Sequence, residues 1–165
     1  MNTQHLSIRA VREEEVELVL EFIRELAEYE RLAHEVSATR ADIHAALFGA
    51  RPYAEAIIGC IDGQPCGFAL FFHNFSTFLG RPGLYLEDLY VRPAARGRGL
   101  GRRMLAWLAR LALDRGCGRF EWAVLDWNEP ALKVYRGLGA QAADDWTIQR
   151  VTGEALVRLA ANADV

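Results

Sequence analysis

The run Arg96-Gly97-Arg98-Gly99-Leu100-Gly101 stands between an apolar, strand-like stretch (Leu84 to Val91) and a strongly amphipathic helical one (Leu100 to Arg115). In the second stretch Met104, Leu105, Trp107, Leu108 and Leu111 recur on one face. A strand that ends in a glycine-rich bend and feeds straight into a helix leaves several backbone N–H groups unpaired at the positive end of the helix dipole. Such a bend is an anion cradle, and phosphate is its usual guest. Without side chains at Gly97, Gly99 and Gly101 a pyrophosphate can approach the main chain, and Arg96, Arg98, Arg102 and Arg103 add charge around it.

The glycine register excludes two common cradles. A dinucleotide fingerprint needs glycine two and five positions after its first, but Arg102 and Met104 occupy the last position when counted from Gly97 and Gly99. No Gly-Lys-Ser/Thr closes the run, so it is not a P-loop either. What remains is Arg-x-x-Gly-x-Gly.

The rest of the chain bounds the answer. Its 165 residues, about half hydrophobic, suffice for one domain with a substantial core. A formal charge of -3 argues against a general nucleic-acid binder and suits a small cationic substrate. The start carries no apolar signal segment and no apolar run reaches membrane-spanning length, so a cytoplasmic protein without membrane association is expected. Cys60, Cys66 and Cys117 read as buried thiols, although Cys60 and Cys66 could face each other across a hairpin. The histidines are scattered, and no metal is assigned.

Periodicity predicts a strand over Leu6–Ala10, a helix over Glu13–Arg31 and a second helix capped by Thr39 that stops at Gly49. Strands Ala54–Ile61 and Gly67–Phe72 join around Asp62-Gly63, and Phe75–Gly83 reads as a loop. After the glycine run and its helix come a strand (Phe120–Leu125) and a helix from Glu129 to Leu138 capped by Asn128. A last strand (Trp146–Val151) and a terminal helix (Glu154–Ala160) follow. The order β-α-α-β-β-β-α-β-α-β, with hairpins early and crossovers late, predicts a mixed central sheet flanked by helices, an α/β fold of the α+β type.

Four ordered segments carry a resemblance to a known family. Leu-Tyr-Leu-Glu-Asp-Leu-Tyr-Val (Leu84 to Val91), the glycine run, Asp126-Trp127-Asn128-Glu129-Pro130, and Lys133 to Ala140 together resemble the diamine (spermidine/spermine) acetyltransferase branch of the GNAT superfamily of N-acetyltransferases. Glu25 to Glu30 continue the similarity upstream.

The resemblance implies the acyl-CoA N-acyltransferase fold, in which the strands matching Leu84–Val91 and Phe120–Leu125 splay apart and the pantetheine arm of acetyl-CoA lies in the gap. Main-chain groups near Leu89, Tyr90 and Val91 would hold that arm, with Arg96, Gly97, Arg98, Gly99, Leu100, Gly101 and Arg102 around the pyrophosphate. Asn128 and Tyr135 would also contact coenzyme A. It further implies Glu87 as the base that takes the amine proton, through water, and Tyr135 as the acid that protonates the departing thiolate. The resemblance also implies a homodimer, while charge placement offers Glu28, Glu30, Asp88, Asp144 and Asp145, beside Glu87, as an acidic pocket for the amine with Tyr29 and Trp146 as flat walls. Read alone, Tyr135 shares a helical face with Ala131, Val134 and Leu138, where tyrosine is ordinarily core. Glu87 and Asp88 alternate across an ideal strand, so both can face one site only if the strand is bulged there.

The expected activity is transfer of acetyl from acetyl-CoA to a primary amine of a small polyamine-like or diamine substrate, by direct attack in a ternary complex. An amino acid or lysine analogue, an antibiotic amine or a protein N-terminus is an alternative acceptor, and a non-catalytic acyl-CoA-binding regulator is an alternative class.

Overall fold

Five strands lie in one sheet in chain order: β1 (Leu6–Ala10), β2 (Glu55–Ile61), β3 (Gln64–Ser76), β4 (Arg81–Val91) and β5 (Arg119–Trp122). Neighbours among the first four are antiparallel, and β5 joins β4 in parallel. Only a crossover can make that last pairing, and the helix after the glycine run supplies it. The computed structural model describes residues 4–163, which divide into two units, one up to Ala123 and one from Val124.

In the first unit, helices α1 (Val16–Tyr29) and α2 (Arg40–Phe48) cover one face of the sheet. Val19, Phe22, Leu26 and Leu47 pack there on Ala56, Ile58, Cys60, Phe68 and Tyr90, with the Phe22 and Phe68 rings stacked at 5.4 Å. Each such apolar side chain contributes about 1.5–3 kcal/mol of burial. Helix α3 (Leu100–Asp114) takes the other face, where a Cβ added to Gly59 would sit 2.7 Å from Met104 Sδ. Gly59 is therefore the contact that lets α3 lie close to β2.

Local chemistry explains the element ends. Thr39 and Asp42 form a reciprocal capping box at the start of α2. Asp62 (φ 50°) and Gly63 (φ 81°) make the left-handed two-residue turn between β2 and β3. Helix α1 closes two residues before the expected Arg31. Arg31 itself is left-handed (φ 63°), while its N–H reaches Glu28 O and the Leu32 N–H reaches Ala27 O, a double closure that ends the helix. The residues Glu13–Glu15 form a 3-10 turn rather than part of the α-helix.

Two further expectations are corrected. The segment expected as a loop over Phe75–Gly83 is mostly strand: β3 runs to Ser76 and β4 begins at Arg81, so only a short turn remains at the tip. Cross-strand partners keep the polar positions His73 and Asn74 extended, opposite Leu84 and Gly83. The cysteines are free, but only Cys60 is buried; Cys66 and Cys117 are half-buried, and Cys60 stands opposite Pro65 rather than Cys66.

The second unit holds α4 (Glu129–Gly137) and α5 (Gly153–Ala160). The strand expected over Trp146–Val151 does not form. Trp146 to Gln149 alternate apolar and polar, but a strand needs a neighbour for its N–H and C=O groups, and the described residues of this unit offer none. Among the described residues no helix is long and apolar enough to cross a membrane.

Candidate active site

The middle of β4 carries the irregularity on which the site is built. Leu70 stands opposite Asp88, yet its neighbour Phe71 stands opposite Leu86, so Glu87 is an extra residue with no partner of its own. Such a bulge bends the strand and shifts its alternation by one. Pairing with β5 stops at the same point: Gly83–Leu86 match Arg119–Trp122, and no described strand lies beside Glu87–Val91 on that side. The sheet is thus open along five residues of β4.

Hydrogen-bond directions show which groups line the opening. Arg92 N–H donates to Cys66 O of the β3 side at 2.9 Å. By the antiparallel alternation Tyr90 turns its main chain the same way, whereas Leu89 and Val91 turn theirs toward the open edge. Leu89 and Val91 are therefore where an extended amide-bearing chain could add as a strand. Tyr90, grouped with them in sequence, is placed otherwise. Its side chain is buried against Phe22, 6.3 Å between ring centroids.

Beside the opening sit three carboxylates. Asp88 is half-buried and its carboxyl is pushed up to about 6, first by burial and then by the charges of Glu87 and Glu30. Glu30, the residue that closes α1, is also raised by burial. Glu87 is exposed. Burial raises two of the three and the neighbouring negative charges raise Asp88 further, so a cation seated beside them would be favoured. Tyr29 is 37% exposed at the end of α1, and Glu28 beside it is exposed.

The glycine run forms the bend that its composition predicts. Gly97 (φ 74°) and Gly99 (φ 83°) are left-handed, and Gly99 caps α3. Arg103 N–H reaches Gly99 O at 3.0 Å as the first bonded turn, which leaves the N–H groups of Leu100, Gly101 and Arg102 directed out of the helix end. The Leu100 side chain is buried, so only its backbone is available there. Arg98 Nε donates to Gln4 Oε1 at 2.8 Å, and Arg96 Nε donates to Val91 O at 2.8 Å.

In the second unit Asn128 Oδ1 accepts from Ala131 N–H at 3.4 Å and caps α4. Tyr135 is half-buried on α4; Asp144, Asp145 and Trp146 are exposed, Trp146 at 79%.

Arg92 is not marked out by the sequence. Its guanidinium is paired with Glu25 (2.7 Å) and Glu21 (2.6 Å) and lies 4.6 Å over the Phe22 ring, fastening the end of β4 to α1. The signal was present as two glutamates four residues apart on one helix face, but nothing in the sequence says which cation they meet.

Comparison with known proteins agrees with this geometry. The acetyltransferase (GNAT) family profile matches residues 18–140. Thialysine N-epsilon-acetyltransferase of Bos taurus is 39% identical over 164 residues, covering 93% of this chain and 96% of that protein. Spermidine/spermine N(1)-acetyltransferase-like protein 1 of Homo sapiens is 30% identical over 152 residues, covering 86% of this chain and 22% of that protein. Among solved structures, an integron cassette protein from the mobile metagenome of V. cholerae superposes with a TM-score of 0.77 at 28% identity, covering 94% of this chain and 97% of that one. The open edge beside β4 and the glycine cradle at α3 are thus those of a member of the GNAT acetyltransferase family, and the chain is an acetyl-CoA-dependent N-acetyltransferase.

Proposed function

We propose that the acceptor is a small molecule with a protonated primary amine at the end of an alkyl chain, of the polyamine or diamine kind. The observation that carries this reading is the carboxylate group of Glu30, Glu87 and Asp88 beside the open edge, with Asp88 raised to about 6 first by burial and then by the charges of Glu87 and Glu30. An ammonium group seated there satisfies it. Tyr29, Glu28, Asp145 and Trp146 are proposed as further contacts, the two rings as flat surfaces for a cation.

In this reading the pantetheine arm pairs with the main chain of Leu89 and Val91. The pyrophosphate sits on the N–H groups of Gly97 to Arg102, with the side chains of Arg98 and Arg102 near it, and Asn128 and Tyr135 contact coenzyme A. An alkylamine of pKa near 10 costs about 4 kcal/mol to deprotonate at pH 7. Glu87 accepts that proton through water, the nitrogen lone pair then forms the C–N bond to the thioester carbonyl, and as the tetrahedral intermediate collapses the C–S bond breaks and the nitrogen loses its second proton, which replaces the one given to the thiolate. Tyr135 gives its proton, or a strong hydrogen bond, to the departing thiolate; full transfer is uphill by about 2 kcal/mol, so the positioned bond matters as much as the proton. The family resemblance supports a homodimer.

Acetyl-CoA with spermidine, putrescine, ornithine and thialysine in parallel assays tests the acceptor. Thiol release with at least one terminal amine is expected; no release with any of them overturns the reading. The relation to the bovine thialysine enzyme favours a second acceptor within the same chemistry, an amino acid with a distal amine. The ratio of kcat/KM for thialysine and spermidine at one pH decides between them.

A further inference from the structure

Arg96 opens the glycine run, and its side chain lies on the protein itself. Its Nε–H donates to Val91 O at 2.8 Å, and that carbonyl belongs to the set turned toward the open edge. Its guanidinium carbon is 4.6 Å from the Tyr29 ring centroid and 5.6 Å from that of Tyr90. Tyr29 is the last residue of α1, where the helix dipole is negative and a cation is favoured, and the next residue is Glu30 of the carboxylate group. On its other side Arg96 is followed at once by Gly97, whose left-handed backbone starts the anion cradle. One residue therefore joins three parts: its side chain touches the strand edge for the pantetheine arm and the end of the helix that carries the amine-binding residues, and its backbone leads into the first residue of the phosphate loop.

We infer that Arg96 is a positioning residue that couples the donor and acceptor sites, setting the end of α1 from the glycine loop, rather than an anion ligand. A planar guanidinium suits this because its edge can donate to a carbonyl while its face lies on an aromatic ring; lysine has neither the plane nor the fork. The inference rests on the proposed placement of the acceptor at Tyr29 and Glu30.

The test is a double-mutant cycle of Arg96→Met and Tyr29→Leu. Arg96→Met is expected to raise the amine KM about tenfold at saturating acetyl-CoA, in keeping with the loss of one cation–ring contact and one hydrogen bond. The acetyl-CoA Kd is expected to move less than about threefold, because phosphate contacts are not lost. Added to Tyr29→Leu, Arg96→Met should change the amine KM little further. Where Arg96→Met is too unstable to assay, Arg96→Lys should show the same pattern at smaller size. A raised acetyl-CoA Kd with a weaker salt dependence and an unchanged amine KM would overturn the inference, and so would independent, multiplying effects of the two substitutions. The same cycle read in Tm needs no turnover: non-additive shifts support the coupling and additive ones overturn it. If the unaltered chain transfers acetyl to no amine, the acceptor reading fails, and the Tm cycle still decides whether Arg96 sets the end of α1 from the glycine loop.

Discussion

Tyr85 and Asp88 project from the same face of β4 although three positions separate them, an odd spacing that a regular strand cannot give. Tyr85 is paired with Phe72, their rings 5.1 Å apart, and Phe72 shares its side of β3 with Phe68, which stacks on Phe22 of α1. Asp88 reaches that side because Glu87 is the extra residue of the bulge, and Tyr90 follows it there against Phe22. Leu89 and Val91 take the opposite side, 3.9 and 3.6 Å from where a Cβ on Gly101 would lie. One added residue thus turns an acid toward the end of α1, ends the pairing with β5 and opens the edge beside it.

The bulge residue itself is exposed, so its chemistry separates from its structural cost. Glu87→Gln keeps the size and the bulge and removes the carboxylate proposed as the base. We expect kcat/KM for the amine to fall about 10²–10³-fold, with Tm and the acetyl-CoA Kd nearly unchanged. The loss should shrink as the assay pH rises and the free-amine fraction grows. An activity loss below about threefold at pH 7 would remove Glu87 from the proton path.

Asp88 makes the chain less stable than it could be. Its carboxyl sits at about 6 in the folded chain against an ordinary value of 3.8. Between those values the folded state holds a proton that the unfolded state has released, so stability falls as pH rises from about 4 to about 6 and stays lower above that. Asp88→Asn abolishes this dependence. It should stabilise the chain by about 2–3 kcal/mol at pH 7.5, with the gain fading by pH 4, while the amine KM rises. Thermal melts of both proteins across pH 4–8 measure it, and a difference that does not change with pH would show that the gain has another source.

The sequence exposed the frame of this fold and one half of its site. Apolar periodicity marked the helices and five strands, because burial of one face imposes it, and the spacing of Gly97, Gly99 and Gly101 marked a tight bend into α3 because only glycine takes the left-handed backbone at two of those positions without strain. The bulge at Glu87 was legible only as a condition, since register depends on what β3 sets opposite. The strand expected at Trp146–Val151 failed for the same reason: its alternation is local, and its partner is not. Arg96 reads in sequence as charge for an anion, and only the three-dimensional contact with Tyr29 and Val91 shows where its side chain goes.

Tyr135 lies on an apolar helical face, where a core role and a catalytic one look alike. Tyr135→Phe keeps the ring and removes the hydroxyl. If the hydroxyl serves the leaving thiolate, kcat falls about 10–100-fold and acetyl-CoA binding is retained. If the ring is core alone, turnover is unchanged. Single-turnover rates with Tyr135→Phe, with Tm as the control for folding, distinguish the two.

The glycines of the cradle separate backbone strain from ligand contact. Gly99 has φ 83°, so Gly99→Ala forces a side chain into the left-handed region and should cost about 1–2 kcal/mol of stability besides weakening acetyl-CoA binding. Gly101 is inside α3 with ordinary helical backbone, and an added Cβ would meet Val91 and Leu89 only at normal contact distance. Gly101→Ala should therefore leave the chain as stable or up to about 1 kcal/mol more stable, since alanine is the better helix former. If pyrophosphate lies against this backbone, the same methyl group obstructs it, and the acetyl-CoA Kd rises at least about tenfold in a protein with an equal or higher Tm. Calorimetric titration with acetyl-CoA beside a thermal melt gives both quantities, and an unchanged Kd for Gly101→Ala would place the pyrophosphate elsewhere.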